Sequence, residues 1–130
     1  MLAIHDYDHD ALGVFPRHPA IVRVIEAYRA AYRARGGDLW VAARMPGALR
    51  RAGLVDVEVV PHVRAGSPGS PVWRWVERFL HEHIDTVVES GHLSPEGRVA
   101  FWEGWTEIER DPGAVLFTPL QVTVSGRLPR

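Results

Sequence analysis

The chain opens on a short apolar run, Leu2, Ala3 and Ile4, which turns polar at His5 without any earlier alternation. Such a run predicts a strand covered on both faces, as in a parallel sheet. Its C-terminal end leads into "DYDHDALGVFPRHP", which Gly13, Pro16 and Pro19 mark as a loop. From Pro19 to Arg35 the spacing becomes helical. Ile21, Val24, Ile25, Tyr28 and Tyr32 share one face, while Arg23, Glu26, Arg29 and Arg33 take the other. Pro19 suits a first helical turn, and Gly36 with Gly37 stops the helix. Asp38 then caps "LWVAARM", and Pro46 restarts a short helix, "PGALRRAG". "VDVEVV" at 55–60 alternates strictly and predicts a second strand with Val55, Val57 and Val59 on one face.

"RAGSPGSP" reads as a flexible connector. Ser70–Pro71 and Ser94–Pro95 each pair an N-cap with proline at the first helical position, which predicts helices over about 71–90 and 95–110. Val72, Trp75, Val76, Phe79, Leu80 and Val87 form the apolar stripe of the first; Val99, Trp102, Trp105 and Ile108 form that of the second. The last strand lies in "VLFTPLQVTVSGRL". Pro119 cannot donate to a ladder, so regular pairing is expected after it, over 120–126. The order is strand, helices, strand, helices, strand, with no internal repeat and no linker long enough to divide residues 1–130 into more than one domain.

Composition narrows the function classes. A chain of 130 residues buries roughly two-thirds of its unfolded surface, enough for a real core. A formal charge of −1 carries no electrostatic footprint for nucleic acid or for an anionic membrane. No apolar run approaches the ~20 residues of a membrane span, and no signal peptide opens the chain, so a cytoplasmic protein is expected. The absence of cysteine removes disulfides, thiolate nucleophiles and cysteine-based zinc sites. All 15 basic residues are arginine, which removes Schiff-base chemistry.

Four stretches resemble the C-terminal half of class I S-adenosylmethionine-dependent methyltransferases of the small-molecule type. "LAIHDYDHDAL" resembles the fifth strand and its acidic exit loop. "DLWVAARMPGALRRAGLVDVEVVPH" is similar to the helix, turn and sixth strand that follow. "SPVWRWVERFLHEHIDTVVESGHLSPEG" is similar to the helical insertion that covers the substrate, and "LFTPLQVTVSGRLP" to the seventh strand. The resemblance implies an α/β fold: a partial Rossmann-like methyltransferase architecture with a small mixed three-stranded sheet. Its last strand would run antiparallel in the middle, with helices covering the sheet. It also implies a departure. In the family a glycine-rich loop in the N-terminal half binds the methyl donor, and no G-x-G-x-G-type loop follows any strand here. S-adenosylmethionine is therefore expected as cofactor only if a partner completes the site.

Several polar groupings carry candidate chemistry. Extended backbone would place His5, Tyr7 and His9 on one side of "HDYDHD" and Asp6, Asp8 and Asp10 on the other. That separation speaks against a metal site, and no metal is expected. Two readings stay open: a substrate or acid–base contact at the end of a strand, or a solvated, helix-capping loop. The resemblance places Asp6, Tyr7 and Asp8 near substrate, with Asp8 or His9 as the group that removes a proton. His81 and His83 lie about 200° apart on a helix and cannot chelate one ion together, and His83 is expected in the interior. The tryptophans of the two helices are either core or the walls of an apolar pocket, with Trp73, Arg74 and Tyr7 contacting a flat ligand. Arg44 belongs to a solvated helix face or reaches an acidic ligand or the partner chain. No serine sits in G-x-S-x-G.

Two functions follow as expectations. The first is the substrate-side half of a methyltransferase, holding an organic small molecule. The second is a truncated, non-methylating descendant: a dimeric small-molecule-binding module, or a catalyst of other pocket chemistry such as cyclisation. Both need company, because an uncovered strand edge invites pairing. A homodimer or a complementary donor-binding subunit is expected.

Overall fold

Pro119 decides how the end of the chain is used. In the computed structural model, which describes Met1–Pro129, the residues before and after it enter different sheets. The elements in chain order are β1 (Leu2–Asp8), β2 (Gly13–Phe15), α1 (Pro19–Ala34), α2 (Val41–Arg51), β3 (Val55–His62), β4 (Ala65–Gly66), α3 (Pro71–Glu89), α4 (Pro95–Glu109), β5 (Val115–Phe117) and β6 (Leu120–Arg127). The protein is thus α/β, with four helices and two three-stranded sheets among the described residues, ordered β1-β6-β3 and β2-β5-β4. Every strand pair is antiparallel, which corrects the expectation of a mixed sheet. The last strand does lie in the middle of the first sheet: β1 and β3 run in the same direction on either side of β6.

The chain divides into two compact units. One comprises residues 1–12, 38–63 and 119–129, and holds β1, α2, β3 and β6. Its core forms where Ala42, Met45 and Leu49 of α2 meet Val122 and Val124 of β6, with Ile4, Leu54 and Val57 alongside. β1 lies at the sheet edge and is not covered on both faces: Leu2 and Ala3 are exposed and Ile4 is half-buried. α2 is one continuous helix with Pro46 inside it, not a helix restarted at the proline. Burying Ala42, Met45 and Leu49 together on the sheet outweighs the one hydrogen bond that Pro46 withholds. Gly53, at φ 87°, then closes α2 in the left-handed region, with Leu54 N–H donating to Leu49 C=O at 3.0 Å. A bulge interrupts β3 between Val55 and Glu58, with Asp56 at φ 51°. It sets Val55 opposite Arg127, so Val55 does not share a face with Val57 and Val59.

The second unit comprises Gly13–Gly37 and Arg64–Thr118. Its sheet is built where sequence pattern predicts loops: β2 and β4 each pair with β5. "RAGSPGSP" is accordingly no free connector. Arg64 N–H donates to Thr118 Oγ1 at 3.2 Å, Thr118 N–H returns to Arg64 C=O at 2.9 Å, and Thr118 is fully buried. A Cβ on Gly66 would come within 2.5 Å of Ser70 Oγ, so only glycine lets β4 run under the start of α3. Both predicted serine caps form: Ser70 Oγ accepts from Trp73 N–H at 3.2 Å and Ser94 Oγ from Gly97 N–H at 3.0 Å. The buried stripes differ from the expected ones. α3 buries Trp73, Val76, Leu80, Ile84 and Val87, leaving Trp75 exposed; α4 buries Phe101, Gly104, Trp105 and Ile108, leaving Val99 exposed.

Candidate functional site

The polar end of β1 is shaped by its own carboxylates. Asp8 leaves the strand in extended conformation and its Oδ1 accepts from Asp10 N–H at 3.1 Å, capping the 3-10 turn His9–Ala11. Asp6 Oδ1 accepts from Tyr7 N–H at 2.8 Å. His9 N–H donates to Leu39 C=O at 3.2 Å, tying this turn to the segment that enters α2. Asp6, Tyr7, Asp8 and His9 are all half-buried and adjacent, and the side-chain alternation persists: the His5, Tyr7 and His9 rings follow one another at 6.2 and 6.3 Å. The arrangement offers acceptors and an imidazole at the C-terminal end of a strand. Each named carboxylate meanwhile has one oxygen engaged by the backbone.

Arg44 projects from α2 in the same unit and pairs with Asp38, whose other oxygen accepts from Trp40 N–H at 3.0 Å. Asp38 therefore orders the approach to α2, although the helix itself begins at Val41. Trp73 and Arg74 belong to the second unit, on the first turn of α3. Trp73 is fully buried, its ring 5.0 Å from that of Trp105, and Phe101 extends the cluster; Arg74 is exposed. Trp105 Nε1 donates to Glu77 Oε1 at 3.1 Å.

Register creates a grouping that linear pattern does not display. β6 places Thr123 opposite His5 on one side and Val60 on the other. His5 Nδ1 lies 2.9 Å from Thr123 Oγ1, and His62 Nε2 lies 3.5 Å from the same hydroxyl. The two imidazoles stand 6.1 Å apart between centroids. A hydroxyl has one proton and two lone pairs, so Thr123 can donate to one ring while accepting from the other. The alternation of "VDVEVVPH" contains the signal for His62, but only pairing with β6 shows which histidine it meets.

In the second unit, His83 corrects the expectation of an interior histidine: it is exposed, stacks on Phe79 at 4.4 Å, and its Nδ1 lies 2.8 Å from Phe79 C=O. Tyr28 packs edge-on against Phe79 and beside Tyr32. Burial, with the neighbouring Tyr32 adding to it and Arg35 opposing, raises the Tyr28 phenol above its ordinary value. Along α4 an open concavity is lined by Val99, Trp102, Glu103, Thr106, Glu107 and Arg110.

The two turns that leave β1 and β4 offer no row of backbone N–H donors of the kind a nucleoside methyl donor needs. β1 exits into the Asp8-capped turn, and the turn from β4 to α3 carries Pro68 and Pro71, which withhold backbone N–H donors. Among the described residues no three or more His, Asp or Glu side chains converge to hold a metal ion, and no helix is long and apolar enough to cross a membrane. No protein-family model matches this chain, and no curated protein does either.

Proposed function

We infer that this chain is the substrate-side half of an S-adenosylmethionine-dependent small-molecule methyltransferase, working with a complementary donor-binding subunit or a second copy. The observation that carries the reading is the strand order β1-β6-β3, with the last strand antiparallel between two others and α2 leading into β3. This is the order that the resemblance of "LAIHDYD", "VDVEVV" and "LQVTVSG" to the fifth, sixth and seventh strands implies. In this reading Asp6, Tyr7, Asp8 and His9 stand at the strand end where open α/β sheets take ligands. The chain's own task is to hold an organic acceptor, exclude water and, through His9 or Asp8, remove the acceptor's proton.

The lack of a fitting donor loop among the described residues favours a second reading, a non-methylating small-molecule-binding module or a cyclase-like catalyst. Calorimetry separates them. The monomeric chain should give no heat with S-adenosylmethionine, and a second copy or a donor-binding half supplied as a separate polypeptide should create both binding and methyl transfer. Tight donor binding by the monomer overturns the first reading; a formed complex that binds no donor leaves the second.

A further inference from the structure

The first sheet has two free edges, and they are not equivalent. β1 pairs with β6 without interruption over Leu2–Asp8, but carries Asp6 and Asp8. Self-pairing centred on its middle residue, His5, would set Asp6 diagonal to the partner's Asp6, where like charges repel. β3 is different: Val59 and Val60, which face opposite sides of the sheet, are 48 and 45% exposed. Valine exposed on both faces of a terminal strand is the usual mark of a strand that pairs further.

We propose that β3 is the edge through which two copies of this chain associate, pairing antiparallel about a two-fold axis at Val60. An axis perpendicular to the sheet keeps each face on its own side, so a residue must meet one of equal parity. With the axis at Val60, the ladder spans 58–62, beyond the bulge that takes up Asp56 and Val57. Val60 meets the partner's Val60. Glu58 faces the partner's His62, and His62 faces the partner's Glu58. Glu58, Val60 and His62 share the face that carries His5 and Thr123, because they lie opposite Ser125, Thr123 and Gln121. Carboxylate thus meets imidazole twice and valine meets valine, whereas an axis at Val59 would draw the bulge into the ladder. Pro61 withholds one donor per strand, so the ladder is incomplete and the dimer is weaker than uninterrupted pairing would make it. The proposal takes up the second-copy partner named above but rests on β3 alone, and it stands whether or not a methyl donor binds.

Sedimentation equilibrium on the full chain tests it. The wild-type chain should be a dimer at about 100 µM. Val60→Asp, at an exposed position, should raise the dissociation constant at least ~10-fold with the circular dichroism spectrum unchanged. Glu58→Lys should weaken the dimer, and Glu58→Lys with His62→Glu should restore it to within about twofold by exchanging the charges across the axis. Ala3→Pro, on the other edge, should leave it intact. A wild-type monomer at that concentration, charge exchange without rescue, or a dimer dispersed by Ala3→Pro and untouched by Val60→Asp overturns the proposal.

Discussion

Replacing Gly104 with alanine should destabilise the protein, although the same change in an unconstrained helix stabilises it. A Cβ at this position of α4 would stand 2.4 Å from His18 Cε1 and 2.5 Å from Nδ1, so the imidazole must retreat by about 1 Å to reach ordinary contact. His18 is not free to do so at no cost. It is the N-cap of α1, where Nδ1 accepts from Ala20 N–H at 3.3 Å, a bond already near its limit. Losing the cap costs about 0.5–2 kcal/mol, and overpacking costs about 1–3 kcal/mol. Against these, alanine improves α4 by about 1 kcal/mol. The net effect is a loss of about 2 kcal/mol. In a His18→Ala background the obstacle is gone, so Gly104→Ala should stabilise by about 1 kcal/mol. The coupling energy is then about 3 kcal/mol. Urea denaturation followed by tryptophan fluorescence measures it, since Trp73, Trp75, Trp102 and Trp105 all lie in the unit that contains this contact. Equal effects in the two backgrounds, or stabilisation in the wild-type background, would refute the reasoning.

Three further outcomes are expected. Tyr28 should ionise above the ordinary tyrosine range in an alkaline absorbance titration of the wild type against Tyr28→Phe, since burial favours its neutral phenol. Its folded-state pKa is raised, so its contribution to stability is intact below pH 10 and is lost as pH rises beyond it. Tyr28→Phe should remove that alkaline loss, and a variant whose stability falls with rising pH as the wild type's does would contradict the assignment. Pro46→Ala should raise the denaturation midpoint, by about 1–3 kcal/mol in stability, because position 46 is interior to α2 and the new N–H can reach the Ala42 carbonyl. Val124→Ala should cost about 2 kcal/mol at a fully buried position, while Val59→Ala on the same face of the sheet, 48% exposed, should cost under about 0.5 kcal/mol if neither variant alters the oligomeric state.

What sequence alone discloses here follows the range of the interaction. Ser70, Ser94, Gly36, Gly53 and Pro119 act on residues within four positions of themselves, and each does in the fold what its type requires. The buried faces of α3 and α4 were harder to read. "VWRWVERFL" places apolar residues on more than one side, so helical period does not choose between Trp73 and Trp75; packing against Trp105 and Phe101 does. β2, β4 and β5 are two or three residues long, too short for alternation to appear. The bulge at Asp56 reverses which valines of β3 share a face, and nothing in "VDVEVV" announces it. Of the candidate site, the run from Asp6 to His9 was legible because it is contiguous. His62 and Thr123 were not, because 61 residues separate them and only register unites them.

That register is set by the core and not by the polar groups it brings together. Val122, Val124 and Gly126 of β6 are buried, while Gln121, Thr123 and Ser125 alternate with them on the half-buried face. A slip of one residue would turn Val122 and Val124 away from Met45 and Leu49 and carry Thr123 under α2, so the apolar side holds the pairing in place. Gly126 reinforces it: a side chain there would crowd Leu54 at 3.2 Å. Leu2 pairs with Gly126 across nearly the whole chain, which makes β6 the strand whose arrival assembles the sheet. Before β6 docks, β1 and β3 have no common neighbour, and His5 and His62 no common hydroxyl. The placement of Thr123 between two histidines, and of Glu58 and His62 on one face of the β3 edge, is therefore a consequence of burying two valines on the opposite side of β6.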